Sequence, residues 1–326
     1  MRQQITLEQL LGDAKTVAIA GHVNPDGDCI GSVMGIWLYL RDHYPQIKIT
    51  AYLESYREVF SLIEGIDQAK DRLETDEAVD LLILTDISSH DRIGVAAPLL
   101  ETAGRTLCFD HHITNTDEYT TLFNDPQASS TCEVICRFLD MDKISPACAA
   151  ALYTGIVSDS GVFRYESTAP ETMRVAASLM EKGIPFAHII DETFYRKTFA
   201  QNRIMGKVVE ESTLHADGKL IVGKAFHEDM LRFGVEAKDM DGIVSELRNT
   251  CGIEVAALLY ERSPGIWKIS LRSCDYLDVS AIAGEFGGGG HVRAAGCTIE
   301  GDPESTEEAL IERIEAALCL AEKGRI

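Results

Sequence analysis

The chain has 326 residues, enough for two domains and more than a single hydrophobic core ordinarily serves. With 45% hydrophobic and 25% charged residues it is neither fibrous nor disordered in composition, and no apolar run reaches the roughly 18 residues of a membrane span. Thirty Lys plus Arg against fifty-two Asp plus Glu give a formal charge of -22, a surface that repels long polyanions, because nonspecific duplex binding needs many basic contacts.

In chain order, Lys15 to Ala20 reads as a buried strand, followed by a polar loop and a helix from about Cys29 to Asp42. Lys48 to Leu53, Leu81 to Thr85 and Thr106 to Phe109 read as further strands, and Ser130 with Glu133 three residues on forms a capping box that starts a helix. This alternation predicts an α/β fold, with an N-terminal parallel sheet flanked by helices over residues 1–185. Phe186, Ile189, Ile190, Phe194, Ile204, Val208 and Val209 keep roughly helical spacing, which predicts one long linker helix over 186–211. Residues 212–326 are expected to form a smaller α/β domain with a mixed sheet. Its elements are a hairpin over Leu214 to Ala225 turning at Asp217-Gly218, strands at Glu254 to Glu261, Trp267 to Arg272 and Ala294 to Ile299, and a final amphipathic helix from about Ser305 to Glu322. The nine cysteines form no C-x-x-C pair and read as reduced core thiols. Together with an N-terminal segment lacking a signal-peptide core, they predict a cytoplasmic protein.

Four clusters carry acidic and imidazole side chains. Gly21-His22-Val23-Asn24-Pro25-Asp26-Gly27-Asp28 follows the first strand, Asp86 ends Leu81-Leu82-Ile83-Leu84-Thr85, Asp110-His111-His112 ends Leu107-Cys108-Phe109, and Asp159 lies within Tyr153 to Gly161. Ligands of open parallel sheets bind beyond the carboxyl ends of the strands, so at least three clusters should converge. Singly each has a bland reading: Asp86 or Asp159 as a helix cap, the histidine pair as structural, the Asp-x-Asp as a loop. Gathered together, five carboxylates and three imidazoles need compensating positive charge, which two divalent cations would supply. Such hard donors suit Mn²⁺ or Mg²⁺ better than thiol-rich zinc chemistry.

These clusters resemble the motifs of the DHH phosphoesterases, including the Asp110-His111-His112 signature. The resemblance continues into a second domain similar to the DHH-associated one, where Asp278-Val279-Ser280 precedes Phe286-Gly287-Gly288-Gly289-Gly290-His291-Val292-Arg293-Ala294-Ala295-Gly296. It implies His22, Asp26 and Asp86 around one metal and Asp28, Asp86, His111 and Asp159 around a second, with Asp86 bridging. It implies further that His112 faces the substrate phosphate, that Asp110 orients an imidazole, and that Arg272, Gly288, Gly289, Gly290 and His291 bind substrate. Arg164 and Arg293 stay open between binding and solvent exposure. The implied cofactor is a pair of divalent cations, Mn²⁺ first, with Mg²⁺ or Co²⁺ as alternatives.

The resemblance is to the nanoRNase/pAp phosphatase group within the family. It implies a hydrolase that cleaves short oligoribonucleotides or dephosphorylates 3′-phosphoadenosine 5′-phosphate through a two-metal-activated hydroxide. The expected partners are a small nucleotide or short single-stranded RNA, and neither long duplexes nor membranes; the sequence does not fix an oligomeric state. A cyclic dinucleotide (c-di-AMP) phosphodiesterase is the main alternative, and an exopolyphosphatase or pyrophosphatase a more distant one. A nucleotide sensor that binds without cleaving is the alternative of a different class, and the complete ligand set argues against it.

Overall fold

The computed structural model describes residues 5–73, 78–115, 118–240 and 242–323. It divides into two compact units, Met1–Arg196 and Lys197–Ile326. The first unit contains helix α1 (Leu7–Leu11), strand β1 (Thr16–Ala20), helix α2 (Gly27–His43), strands β2 (Lys48–Tyr52) and β3 (Leu81–Thr85), the short helix α3 (Leu99–Thr102), and strands β4 (Arg105–Asp110) and β5 (Thr121–Asn124). Helices α4 (Thr131–Cys136), α5 (Pro146–Asp159), α6 (Pro170–Met180) and α7 (Phe186–Ile190) complete it.

The five strands form an all-parallel sheet in the order β2-β1-β3-β4-β5. Chain direction across the sheet reverses between β1 and β3, the switch point at which such sheets open a crevice at their carboxyl ends. The central strands are apolar on both faces, as parallel strands covered on two sides must be. Val17, Ile19, Leu81, Ile83, Leu107 and Phe109 join the core under α2 and α5, while Ala18, Ala20, Leu82, Leu84 and Cys108 pack against Ile87, Ile93, Ala96 and Leu99.

Helix α2 is buried from Gly27 to Leu40, so it is apolar all round rather than amphipathic. It lies against α5 at van der Waals contact of the backbones. A Cβ on Gly31 would sit 2.5 Å from the Ala151 carbonyl oxygen, one on Gly35 would be 2.6 Å from Leu152 Cδ2, and one on Gly27 would be 2.5 Å from Ser158 Oγ. Glycine at every fourth position is therefore what lets the two helices approach so closely.

The second unit begins with α8 (Phe199–Glu210) and continues through β6 (Thr213–His215), β7 (Leu220–Ala225), α9 (His227–Phe233), α10 (Ile243–Arg248), β8 (Val255–Ser263), β9 (Ile266–Ser273), α11 (Val279–Glu285), β10 (Gly289–His291), β11 (Ala294–Glu300) and α12 (Pro303–Lys323). Its mixed six-stranded sheet runs β10-β11-β9-β8-β7-β6, with β7 and β8 parallel and the remaining neighbours antiparallel. Helices α11 and α12 cover one face and α8, α9 and α10 the other. The hairpin turns at Asp217-Gly218, with both residues at positive φ (51° and 83°). Among the described residues no helix is long and apolar enough to cross a membrane.

Two expectations are corrected. The single helix over 186–211 is two helices, α7 and α8, separated by a π turn at Asp191–Tyr195 and by extended backbone at Arg196. The reason is a second start signal inside the apolar run: Thr198 Oγ1 accepts from Gln201 N–H, and the Gln201 side chain accepts from Thr198 N–H. The capping box at Ser130 is only half formed. Ser130 Oγ accepts from Glu133 N–H, but the Glu133 carboxylate accepts from Ser129 N–H and Oγ–H and from Thr172 Oγ1–H. Strand β10 is formed by two glycines and His291.

Replacing Gly31 by Ala should separate α2 from α5 and cost ~1–3 kcal/mol, measured as lower unfolding free energy in denaturant titrations. Gly206→Ala, on the exposed side of α8 with no atom within 4 Å of the new Cβ, should instead be neutral or stabilise by up to ~1 kcal/mol.

Candidate metal centre

The carboxyl ends of β1, β3 and β4 deliver their side chains to one place. Asp26 caps α2, accepting from the N–H groups of Asp28 (3.0 Å) and Cys29 (3.1 Å). Asp28, in the first turn of that helix, is fully buried and accepts from Thr131 N–H (2.5 Å) and Cys132 N–H (3.0 Å), the leading amides of α4. Helix N-termini offer unpaired donors and positive potential, which suits a buried carboxylate. Asp159 is the last residue of α5. Asp86 leaves β3 with φ at 58°, an uncommon left-handed conformation for a residue with a side chain. Its N–H donates to Phe109 O (3.0 Å), which holds this turn beside β4.

The Asp86 carboxylate reaches two imidazoles at once. Oδ2 is 3.5 Å from His22 Nε2 and Oδ1 is 3.6 Å from His111 Nε2. His22 Nε2 also lies 3.7 Å from Asp26 Oδ1, and His111 Nε2 lies 3.2 Å from Asp159 Oδ2 and 4.0 Å from Asp28 Oδ2. Among the described residues three groups of potential ligand atoms result, His22-Asp26-Asp86, Asp28-His111-Asp159 and Asp86-His111-His112, the atoms of each lying within 4.8 Å of one another. Both histidines turn Nδ1 to a backbone carbonyl: His22 donates to Val23 O (2.8 Å) and His111 to Ala128 O (3.4 Å). In the neutral ring that choice would leave Nε2 without a proton and able to ligate, the arrangement in which a metal-bound histidine is oriented by its other nitrogen.

His112 is placed differently. Its Nδ1 donates to the buried Asp110 Oδ1 at 2.8 Å, while Asn115 Nδ2 donates to Asp110 Oδ2 at 2.8 Å and Asn124 Nδ2 to the His112 carbonyl at 2.8 Å. Asp110 therefore orients His112, and Asn115 orients Asp110.

Crowding shows in the protonation equilibria. Burial opposes protonation of His22, but Asp26 and Asp86 outweigh it and raise its pKa to about 10. His111 is likewise raised to about 10, with burial overcome by Asp159, Asp28 and Asp86. Burial pushes Asp159 up to about 6, and burial together with Asp86 and Asp159 lifts Asp28 well above the carboxylate range. These are the directions expected where more carboxylates than cations share a buried site. The donors are carboxylate oxygens and imidazole nitrogens, so the set fits a hard divalent cation.

All six sequence-derived ligand candidates, His22, Asp26, Asp28, Asp86, His111 and Asp159, are thus brought together, with His112 at their edge. Residues that sequence reading missed hold them. Thr131 Oγ1 donates to Asp86 Oδ1 at 3.1 Å, and the Glu133 brace to Ser129 and Thr172 fixes the start of α4. Ser130 and Glu133 signalled this helix, but no local pattern shows that it would receive a carboxylate 103 residues away. Arg164 follows a left-handed turn at Gly161, Val162 and Phe163 (φ 57°, 57° and 61°), costing roughly 1–2 kcal/mol at each non-glycine position.

In the second unit, Arg272 on β9, Ala294 on β11 and His291 on β10 are cross-strand partners in one row. Facing residues share a side of the sheet, so Arg272 and His291 stand on the same side with only β11 between them. Two N–H groups of the glycine run are engaged within the fold. Gly287 N–H donates to Gly284 O and Gly288 N–H to Ala283 O, closing α11 with Gly287 at φ 73°. Gly288 also passes β11 so closely that a Cβ would be 2.2 Å from Gly296 O. Arg293 is exposed, and its guanidinium donates to the carbonyls of Leu277 (3.0 Å) and Asp275.

Comparison with known proteins agrees with this arrangement. Residues 16–156 match the DHH family N-terminal domain and residues 217–319 the DHHA1 domain. The chain is 30% identical over 323 residues to the bifunctional oligoribonuclease and PAP phosphatase NrnA of Thermus thermophilus, an alignment covering 98% of this chain and 95% of that protein. The chain belongs to the DHH family. It is also similar to the cyclic-di-AMP phosphodiesterase PdeA of Listeria monocytogenes, at 25% identity over 95% of this chain but 49% of that one. The crystal structure of an exopolyphosphatase-related protein from Bacteroides fragilis superposes with a TM-score of 0.87 at 25% identity, covering 95% of both chains.

Removing the Thr131 hydroxyl as Thr131→Val should weaken divalent-metal affinity roughly tenfold, the size of effect expected when a partner of a ligand is lost. Calorimetric Mn²⁺ titration checks this, with circular dichroism confirming the fold.

Proposed function

We propose that this phosphate-ester hydrolase cleaves short oligoribonucleotides and dephosphorylates 3′-phosphoadenosine 5′-phosphate, acting in the cytoplasm on two divalent cations. The observation that carries the chemistry is the double reach of Asp86, one carboxylate oxygen towards His22 and the other towards His111. His22, Asp26 and Asp86 would hold one cation, and Asp28, Asp86, His111 and Asp159 the other. Divalent cations bound there would acidify a water towards neutral pH and offset charge developing on the phosphoryl oxygens.

The chain's own residues do the remaining work. Asp86 fixes the spacing of the two positions, and Thr131 and the α4 amides keep Asp86 and Asp28 from turning away. His112, held through Nδ1 by Asp110, can present Nε2 to a phosphoryl oxygen or to the departing oxygen. Within the second unit, Arg272 and His291, with Gly289 and Gly290 beside them, are the proposed substrate-binding residues; Gly288 would act there by shaping the strand rather than by its N–H. Mn²⁺ is the proposed ion, because mixed carboxylate and imidazole ligation suits it.

The near-full-length similarity to an oligoribonuclease and PAP phosphatase supports this substrate class. Cleavage of a cyclic dinucleotide is the second reading, favoured by the similarity of nearly the whole chain to part of PdeA. Both use the same centre.

Asp86→Ala and Asp86→Asn should lose Mn²⁺ and turnover together, by at least ~10³-fold in kcat; near-normal turnover with full metal occupancy would remove Asp86 from the centre. Adding EDTA should abolish activity and Mn²⁺ should restore it. Assays of an RNA dinucleotide, 3′-phosphoadenosine 5′-phosphate, c-di-AMP and pyrophosphate, with products separated by chromatography, decide the substrate. A preference for c-di-AMP would transfer the assignment to second-messenger turnover.

A further inference from the structure

Between α5 and α6 the chain turns with three successive residues at positive φ. Leaving a helix needs only one such residue, and Gly161 supplies it. Val162 and Phe163 continue in the same sense, where branched and bulky side chains are outliers. Conformations of this kind persist only where the surroundings hold them, and they gather at ligand sites.

The added residues place Tyr165. Val162 and Phe163 pack against the core of the first unit, and the Tyr165 ring folds back onto Gly161. A Cβ on Gly161 would meet Cζ, Cε1 and Cε2 of that ring at 2.4, 2.6 and 2.7 Å, so the glycine is what admits it. The backbone beneath is fixed on both sides: Tyr165 N–H donates to Ser160 O (3.0 Å), and the Tyr165 carbonyl accepts from Thr168 N–H (3.0 Å). Tyr165 nonetheless remains 42% exposed. Gly161 lies two residues beyond Asp159, whose Oδ2 is 3.2 Å from His111 Nε2. A partly exposed aromatic ring is thus held on Gly161 in the turn that directly follows Asp159 in the chain.

We infer that Tyr165 is a stacking platform for a nucleobase of the substrate whose phosphate lies at the metal centre, an inference that rests on the nucleotide-hydrolase reading above. Every base offers a π-face, so stacking on one ring recognises a nucleotide without selecting its sequence. The ring is already seated on Gly161, so little freedom is lost when a base covers it.

The test compares ApA with two analogues in which one or the other base is replaced by hydrogen, using the full chain with Mn²⁺. In the wild type, removing the stacked base should lower kcat/KM about 10- to 100-fold. In Tyr165→Ala the same removal should change it less than about twofold, while Tyr165→Phe should keep the wild-type penalty. An undiminished penalty in Tyr165→Ala would overturn the inference, and so would an equal loss on all three substrates. If the wild type leaves ApA uncut, the substrate assignment fails separately, and the comparison passes to equilibrium binding of AMP against ribose 5-phosphate. A preference for AMP that disappears in Tyr165→Ala supports the platform; one that survives, or that the wild type lacks, overturns it.

Discussion

Carboxylates gathered at the end of a buried sheet repel one another more strongly the less water lies between them. The first unit can be read as the set of devices that makes such a gathering tolerable. Asp28 is satisfied by the leading amides of α4, Asp26 by those of α2, and Asp86 by a threonine hydroxyl and two imidazoles. The Asp26 cap is local, while the partners of Asp28 and Asp86 come from distant stretches of chain that the fold brings together. The β1/β3 switch point is where the crossing of the connections leaves room for them.

Much of this was visible in the sequence. Apolar strands such as Leu81 to Thr85 end in chemistry-bearing residues, and that coincidence repeated along the chain identifies both a parallel sheet and its functional edge. What stayed hidden depends on contacts between distant segments. Thr131 looks like any residue at the start of a helix until its hydroxyl is seen against Asp86. Thr198 and Gln201 carried a readable start signal, but the apolar spacing across it suggested continuity, and periodicity proved the weaker guide.

The glycines of the second unit show how one stretch can answer two demands. Gly287 and Gly288 close α11 through their N–H groups, and Gly288 and Gly290 let β10 pass close to β11. His291 then follows in strand conformation, in register with Ala294 and one strand removed from Arg272. Glu254 supports the same corner, its buried carboxylate accepting from the N–H groups of Asp275, Tyr276 and Leu277. Arg293 binds carbonyls of that loop from the other side. A residue type that suggested anion binding is occupied in shaping the backbone around it.

The close seating of α2 against α5 carries a mechanical consequence for the centre above it. Asp28 rises from the start of one helix and Asp159 from the end of the other, so their separation is set by glycine contacts deep in the core. His22 and Asp86 stand on loops, and the Asp26 side chain is 56% exposed where that of Asp28 is fully buried. Retuning the separation of Asp28 and Asp159 would therefore have to begin in the helix interface rather than at the ligands.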